Sequence, residues 1–281
     1  MSKKETRKII VTGATGFIGK NIVPALSKLG FQLCLISRNK KNCEKLFSRL
    51  PVEIVEWDIN HGTPKIPMDN PDTLLHLAWQ GLPNYESNHH IEDNFIKNYF
   101  FIKGCITKLG VNSVVSSGTC FEYGMKSGCL RIDDECNPIT SYGLAKHFLH
   151  KSLLLLKKNV SFNLAWARLF YISEKEHSPN SIISQLDHAI EQNDRYFNMS
   201  GGEQLRDYLK INQVVDDLSN LVVKKSDGTF NICSGKPITV RKLVENRIEK
   251  RQSSILLNLG FYPYLKYEPF AFWGHRNVPE K

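Results

Sequence analysis

The chain has 281 residues, 41% hydrophobic and 23% charged, with 18 Gly and 12 Pro; this ordinary globular composition excludes disorder, collagen-like repetition and a small disulfide scaffold. Lys and Arg outnumber Asp and Glu by 37 to 28, a formal charge of +9, which favours anionic partners without choosing among phosphates, nucleic acid and membrane headgroups. Seven cysteines form no CxxC pair, as expected of free thiols in a reducing, cytoplasmic compartment. The opening MSKKETRKIIVTG lacks the apolar core of a signal peptide, and no apolar run approaches the ~18 residues of a membrane span, so no membrane association is expected.

In chain order, Lys8 to Thr12 (KIIVT) is a short β-branched run ended by Gly13, a buried strand entering a tight turn. A helix is predicted over Phe17 to Leu29, with Pro24 expected to kink it. Gly30 ends that helix and Phe31 to Ile36 (FQLCLI) is the next strand, so the opening residues form a βαβ unit of dinucleotide-binding size. Further strands are predicted at Val52 to Val55, Thr73 to Leu77, Ser113 to Ser117 and Phe162 to Ala167, with helices at Ile91 to Leu109 and from Tyr142 to Leu156. The alternation predicts an α/β fold with a Rossmann-type doubly wound parallel sheet. Residues 1–170 are expected to form this Rossmann domain, and 171–281 a smaller C-terminal lobe, part of 208–245 returning to the first domain. A helix-like piece spans Ile182 to Gln192, and 228–245 reads as strand, glycine turn and helix. The basic cluster Arg241, Lys242, Arg247, Lys250 and Arg251 reads as a solvated helix face, and no nucleic-acid partner is expected.

Thr12 to Gly19 reads TGATGFIG, a glycine loop between a strand and a helix. Gly13 permits the turn, Gly16 permits close backbone approach, and the helix amino end offers N–H groups to a pyrophosphate. Gly13, Thr15, Gly16, Phe17, Ile18 and Gly19 are therefore candidate cofactor contacts. The end of the second strand carries no carboxylate to hold an unphosphorylated ribose; Ser37 and Arg38 instead suit the 2′-phosphate of NADPH. Tyr142 and Lys146 (YGLAK) lie four apart on one helix face, where an ammonium would lower the tyrosine pKa and fit it for proton transfer.

Four ordered motifs, TGATGFIG, SSGTCFEYG (116–124), YGLAK and GGEQLRDY (201–208), resemble the extended short-chain dehydrogenase/reductase family of nucleotide-sugar epimerases, dehydratases and ketoreductases, over about residues 7 to 275. The resemblance implies that Tyr142 is the catalytic acid/base and that Lys146 binds the nicotinamide ribose. Thr119, with Ser117 as a nearby substitute, would hydrogen-bond the substrate oxygen. Asp58 with Ile59, and Leu77 with Ala78, correspond to segments lining the cofactor; Arg206 matches an arginine that grips the sugar-nucleotide diphosphate. With Trp79 and Asn180, Thr119, Tyr142 and Arg206 make up the candidate substrate contacts, and no metal site is expected. Cys120 and Phe121 stand where the family's dehydratases carry an Asp-Glu pair, which disfavours a 4,6-dehydratase. Tyr171 replaces an epimerase asparagine, and Lys266 lies near the place of a second diphosphate arginine. His177, His188 and Cys120 form an alternative acid/base set for epimerisation.

The expected activity is NADPH-dependent reduction of the 4-keto group of a dTDP- or CDP-linked 4-keto-6-deoxyhexose. A sugar-nucleotide 4-epimerase with tightly bound NAD is the alternative, and a non-catalytic NADPH-sensing protein is a third reading that the intact YxxxK pair and the intact hydroxyl position oppose. A homodimer is expected through the helices at 91–109 and 142–156, with Phe95, Phe101, Phe148 and Leu149 as contacts.

Overall fold

The computed structural model describes residues 7–173 and 180–279. Its centre is a seven-stranded sheet of β1 (Lys8–Thr12), β2 (Gln32–Ser37), β3 (Val52–Glu56), β4 (Thr73–His76), β5 (Ser113–Thr119), β6 (Asn163–Leu169) and β7 (Gly228–Ile232). All neighbours are parallel, in the order β7-β6-β5-β4-β1-β2-β3. This is the doubly wound arrangement the alternating pattern predicts. The order reverses between β1 and β4, and the crevice beyond the carboxyl ends of these strands is where such sheets bind ligands.

Period-two alternation sends successive apolar side chains to opposite faces. Ile9, Val11, Leu33 and Leu35 pack on one side against Ile22, Val23 and Leu26 of α1 (Phe17–Lys28) and Leu218, Leu221 and Val222 of α6 (Ile211–Val223). Ile10, Leu74, Val114 and Trp166 pack on the other side against Phe101, Ile102 and Cys105 of α3 (Ile96–Leu109) and Leu149 and Leu153 of α4 (Ser141–Lys157). A third cluster joins α5 (Ile182–Glu191) to α7 (Val240–Arg251) through Leu186, Val240, Val244, Phe197 and Met199. Arg247 of α7 pairs with the buried Asp187 of α5 at 2.9 and 2.5 Å, so part of the basic cluster is internal to this lobe.

Several elements differ from the expectation. The short helix α2 (Lys40–Phe47) follows Arg38 and buries only Cys43 and Phe47, too few apolar positions to mark it in the sequence. A π-helical segment, His90–Phe95, precedes α3, and β5 extends two residues further, making Thr119 its last residue. Phe101 and Leu149 are fully buried core residues, which corrects their assignment as dimer contacts. The exposed apolar residues of those helices are Ile96, Phe100, Phe148, Leu154 and Leu155. No helix among the described residues is long and apolar enough to cross a membrane.

Candidate active site

The glycine loop is built around backbone contacts that exclude side chains. Gly13 has φ +72°, and a Cβ there would lie 2.7 Å from the Ala78 nitrogen and 2.8 Å from the Leu77 carbonyl carbon; one on Gly19 would lie 2.2 Å from the Gly13 oxygen. No side chain caps the amino end of α1. Beside this loop a cavity of about 230 Å³ is lined by Thr12 to Gly16, Ile36 to Arg38, Trp57, Ile59 and Leu77 to Gln80. It shares Gly13, Gly16, Leu77 and Trp79 with a second cavity of about 480 Å³, which Phe17, Ile18, Gly19, Thr119, Tyr142 and Lys146 also line. The loop thus has no room for a Cβ at Gly13 or Gly19 and is open to a flat, phosphate-bearing ligand, and the residues present fit a dinucleotide. Arg38 is exposed at the rim of the smaller cavity. Ser37 Oγ is engaged with Asn39, donating to its carbonyl at 3.2 Å and accepting from its N–H at 3.3 Å. Asp58 accepts from the Asn60 N–H at 2.9 Å, while its neighbours Trp57 and Ile59 form the cavity wall.

The catalytic candidates converge from two elements. Thr119 ends β5; Tyr142 and Lys146 occupy the first turns of α4, whose start is fixed by Thr140 Oγ1 accepting from the Gly143 N–H at 3.1 Å. Lys146 is 1% exposed, donates to the Ser117 carbonyl at 2.8 Å and lies 4.0 Å from the centre of a Trp79 ring, a cation–π contact. Burial lowers its pKa to about 7, with Glu122 acting in the opposite direction. Tyr142 is enclosed by the rings of His90, Tyr85, Trp79 and Phe121, at 5.4, 5.6, 5.9 and 6.2 Å. Burial, reinforced by Tyr85, raises the pKa of its hydroxyl, and a hydrogen bond with Thr119 acts against that rise. The sequence-based expectation is a lowered Tyr142 pKa; in the structure it is raised, with loss of hydration around the phenolate as the largest cause.

Two buried networks were invisible in the motifs. His76 bridges Thr12 Oγ1 at 2.9 Å and Asn98 Oδ1 at 2.7 Å, with its pKa lowered to about 3 by burial and by Lys146. His90 accepts from Trp79 Nε1 at 3.1 Å and meets the Asn84 carbonyl at 2.7 Å, fixing the Trp79 ring under Lys146. Tyr171, noted in the sequence only as a departure, lines the cavity with a buried hydroxyl, whose pKa burial and then Glu268 raise well above its ordinary value. Tyr85 joins it from the loop after β4, its carbonyl accepting from the Tyr142 N–H at 2.9 Å.

The remaining candidates do not join this cluster. Arg206, 5% exposed, directs Nε and Nη2 to Glu268 at 3.1 and 2.7 Å and Nη1 to the carbonyls of Leu205 and Phe270. Its charge is met internally, and it does not contribute to the cavity wall. Asn180 is exposed and its carbonyl accepts from Gln185. Cys120 lines the cavity, but burial and then Glu268 raise its thiol pKa far above the ordinary range, keeping it protonated. His188 is exposed on α5 and faces a separate open hollow of about 760 Å³ with Tyr196 and Tyr262. His177 lies outside the described residues. The alternative acid/base set is therefore not assembled at the cavity by Cys120 and His188.

The parallel sheet, the glycine cradle and the Thr119–Tyr142–Lys146 cluster define an enzyme of the extended short-chain dehydrogenase/reductase class. The sequence matches the NAD dependent epimerase/dehydratase family over residues 9–233, and the chain belongs to that family. It is 31% identical over 270 residues to the dTDP-6-deoxy-L-talose 4-dehydrogenase (NAD(+)) of Aggregatibacter actinomycetemcomitans, covering 95% of this chain and 98% of the relative. It is 25% identical to the dTDP-4-dehydro-6-deoxyglucose reductase of Escherichia coli, covering 84% and 79%. Among solved structures, UDP-glucuronic acid 4-epimerase from Bacillus cereus, in complex with UDP-glucuronic acid and NAD, superposes with a TM-score of 0.81 at 19% identity, covering 96% and 90%. That last similarity concerns the fold.

Proposed function

We propose that the protein interconverts a 4-keto and a 4-hydroxy group on a nucleoside-diphosphate 6-deoxyhexose, dTDP- or CDP-linked, working as a 4-ketoreductase. The observation that carries this reading is the convergence of Thr119, Tyr142 and Lys146 on a cavity that shares its wall with the glycine cradle. Both sequence relatives cited above act, by name, at position 4 of such a sugar. A bound nicotinamide dinucleotide would supply the hydride to the sugar carbon. Gly13, Gly16 and the amino end of α1 would hold its pyrophosphate, and Lys146 its nicotinamide ribose.

The chain's own part is to move one proton and hold one oxygen. Tyr142, kept neutral by burial, gives its proton to the developing alkoxide. Thr119 Oγ1 accepts from the Phe121 N–H at 3.3 Å, and its O–H, hydrogen-bonded with Tyr142 in the structure, would turn to donate to the same oxygen when substrate is bound. Lys146, anchored on Ser117, stabilises the phenolate left behind. Tyr85, Phe121 and Tyr171 shield the centre from water, and the Tyr171 hydroxyl, kept protonated by burial, faces the same cavity.

For the cofactor, the cationic, carboxylate-free end of β2 supports NADPH through Arg38, whereas the talose relative carries NAD(+) in its name. Titration of wild type and Arg38→Ala with both dinucleotides separates them. For assembly, the exposed apolar residues of α3 and α4 support a homodimer. The test of the activity is consumption of NADPH or NADH with dTDP-4-keto-6-deoxyglucose; the epimerase alternative predicts instead that purified protein retains its dinucleotide and consumes none.

A further inference from the structure

We propose that Glu122 is a positioning residue, whose buried carboxylate fixes the backbone of Thr119 and supplies the counter-charge for Lys146 across the junction of β5 and α4. The proposal rests on the catalytic reading above. Glu122 is fully buried. One of its oxygens, Oε1, accepts from the Thr119 N–H at 2.9 Å and from Trp166 Nε1 at 2.9 Å; the other, Oε2, accepts from Arg168 Nε at 3.2 Å. Reciprocally, Thr119 Oγ1 accepts from the Phe121 N–H, so the turn after β5 is locked at both ends and the Thr119 hydroxyl is aimed. Nδ1 of His147 and of His150, both on α4, lie 3.9 Å from Oε2, placing the carboxylate against the helix that carries Tyr142 and Lys146.

A buried carboxylate is a poor choice for packing alone, because an apolar residue avoids its desolvation cost. The groups around Lys146 show what the charge does. From β4 and the following loop come His76 and the Trp79 ring, from the π-helical segment His90, from β5 the Ser117 carbonyl, and from α4 Tyr142. Burial holds both histidines below their ordinary pKa and Tyr142 above its own, so all three are neutral near pH 7. Glu122 is the anion acting on Lys146, and it opposes the fall that burial imposes. Arg168 also bridges Glu122 to Cys136, donating to its sulfur at 3.0 Å; its charge repels a cation from the Glu122, Cys136 and His147 donors, which lie within 4.8 Å of one another.

The test uses single-turnover hydride transfer with dTDP-4-keto-6-deoxyglucose across a pH series. Glu122→Gln/Arg168→Met removes both charges together, so no unpaired buried ion remains, while Gln still accepts from the Thr119 N–H. The alkaline limb, where Lys146 loses its proton, should move down by about one pH unit. Glu122→Asp keeps the charge with a shorter reach, and should keep the limb while slowing the reaction at every pH. A wild-type limb in the folded double variant, or a uniform rate loss without movement of the limb, would overturn the proposal. Tyr142→Phe in parallel separates the two readings: if it is active the catalytic assignment is wrong, and if it is inactive while the double variant is unchanged only the role of Glu122 is wrong.

Discussion

Gly13 and Gly30 offer a matched pair for testing the cradle. Both have positive φ, +72° and +84°, but nothing lies within 4 Å of a Cβ on Gly30, whereas one on Gly13 would press into the backbone of Leu77 and Ala78. Alanine at Gly30 therefore meets only the left-handed strain of ~1–2 kcal/mol, offset by ~0.4–1 kcal/mol from a stiffer unfolded chain, a net loss of ~1 kcal/mol. Alanine at Gly13 adds a backbone collision that no rotamer relieves, and overpacking of this kind costs ~1–3 kcal/mol more. Unfolding in urea should place Gly13→Ala ~2–4 kcal/mol below wild type, from the same two contributions. Gly30→Ala should bind dinucleotide as wild type does, while Gly13→Ala binds at least tenfold more weakly, because the strand-to-loop contact forms the cradle. Equal losses in the two variants, or wild-type dinucleotide affinity in Gly13→Ala, would refute the reasoning.

Other outcomes follow from single environments. Lys146 sits near pKa 7 in the fold against an ordinary 10.5; between those values the folded state binds fewer protons than the unfolded chain, so stability falls as pH falls from about 10 towards 7. Lys146→Met should flatten that slope in urea unfolding at pH 7 and 9.5, and an unchanged slope would exclude a depressed lysine. Asp207 accepts from the N–H groups of Ser234, Gly235 and Gly274 and from the Ser234 hydroxyl; Asp207→Ala strands these donors and should cost ~3 kcal/mol or more, read from the urea midpoint, with a loss under 1 kcal/mol contradicting this. Phe101→Ala should cost ~3–5 kcal/mol as a core cavity, whereas Phe100→Ser should leave the urea midpoint close to wild type and shift the mass seen by light scattering towards monomer. Arg38→Ala should weaken NADPH ~10- to 100-fold, the range for one charge-assisted contact, and leave NADH unchanged in a fluorescence titration.

What the sequence made legible was periodic or local. The β-branched runs and the loop at Thr12 to Gly19 define the central strands and the cradle because they depend on neighbours a few residues away. The four-residue spacing of Tyr142 and Lys146 places both at the cavity because helix geometry does so directly. Pairings across the chain were not legible: Glu122 acquires its role from Trp166 and Arg168, and Arg206 is directed away from the cavity by Glu268, a partner 62 residues later. Helical phase explains the exchange of Phe101 for Phe100 at the exposed face, because adjacent residues on α3 point about 100° apart. The direction of the Tyr142 pKa depends on how many rings surround it, which a motif does not encode.

In the proposed reaction Tyr142 transfers the proton while Thr119 and Lys146 hold the reacting oxygen and the phenolate. The direct measurement is single-turnover transfer, followed by near-ultraviolet absorbance of the reduced dinucleotide, with dTDP-4-keto-6-deoxyglucose and saturating cofactor, comparing wild type with Tyr142→Phe. Wild type should lose absorbance rapidly, and the variant should keep its dinucleotide affinity with transfer slowed ~10²- to 10⁴-fold. Transfer at the wild-type rate in Tyr142→Phe would contradict it.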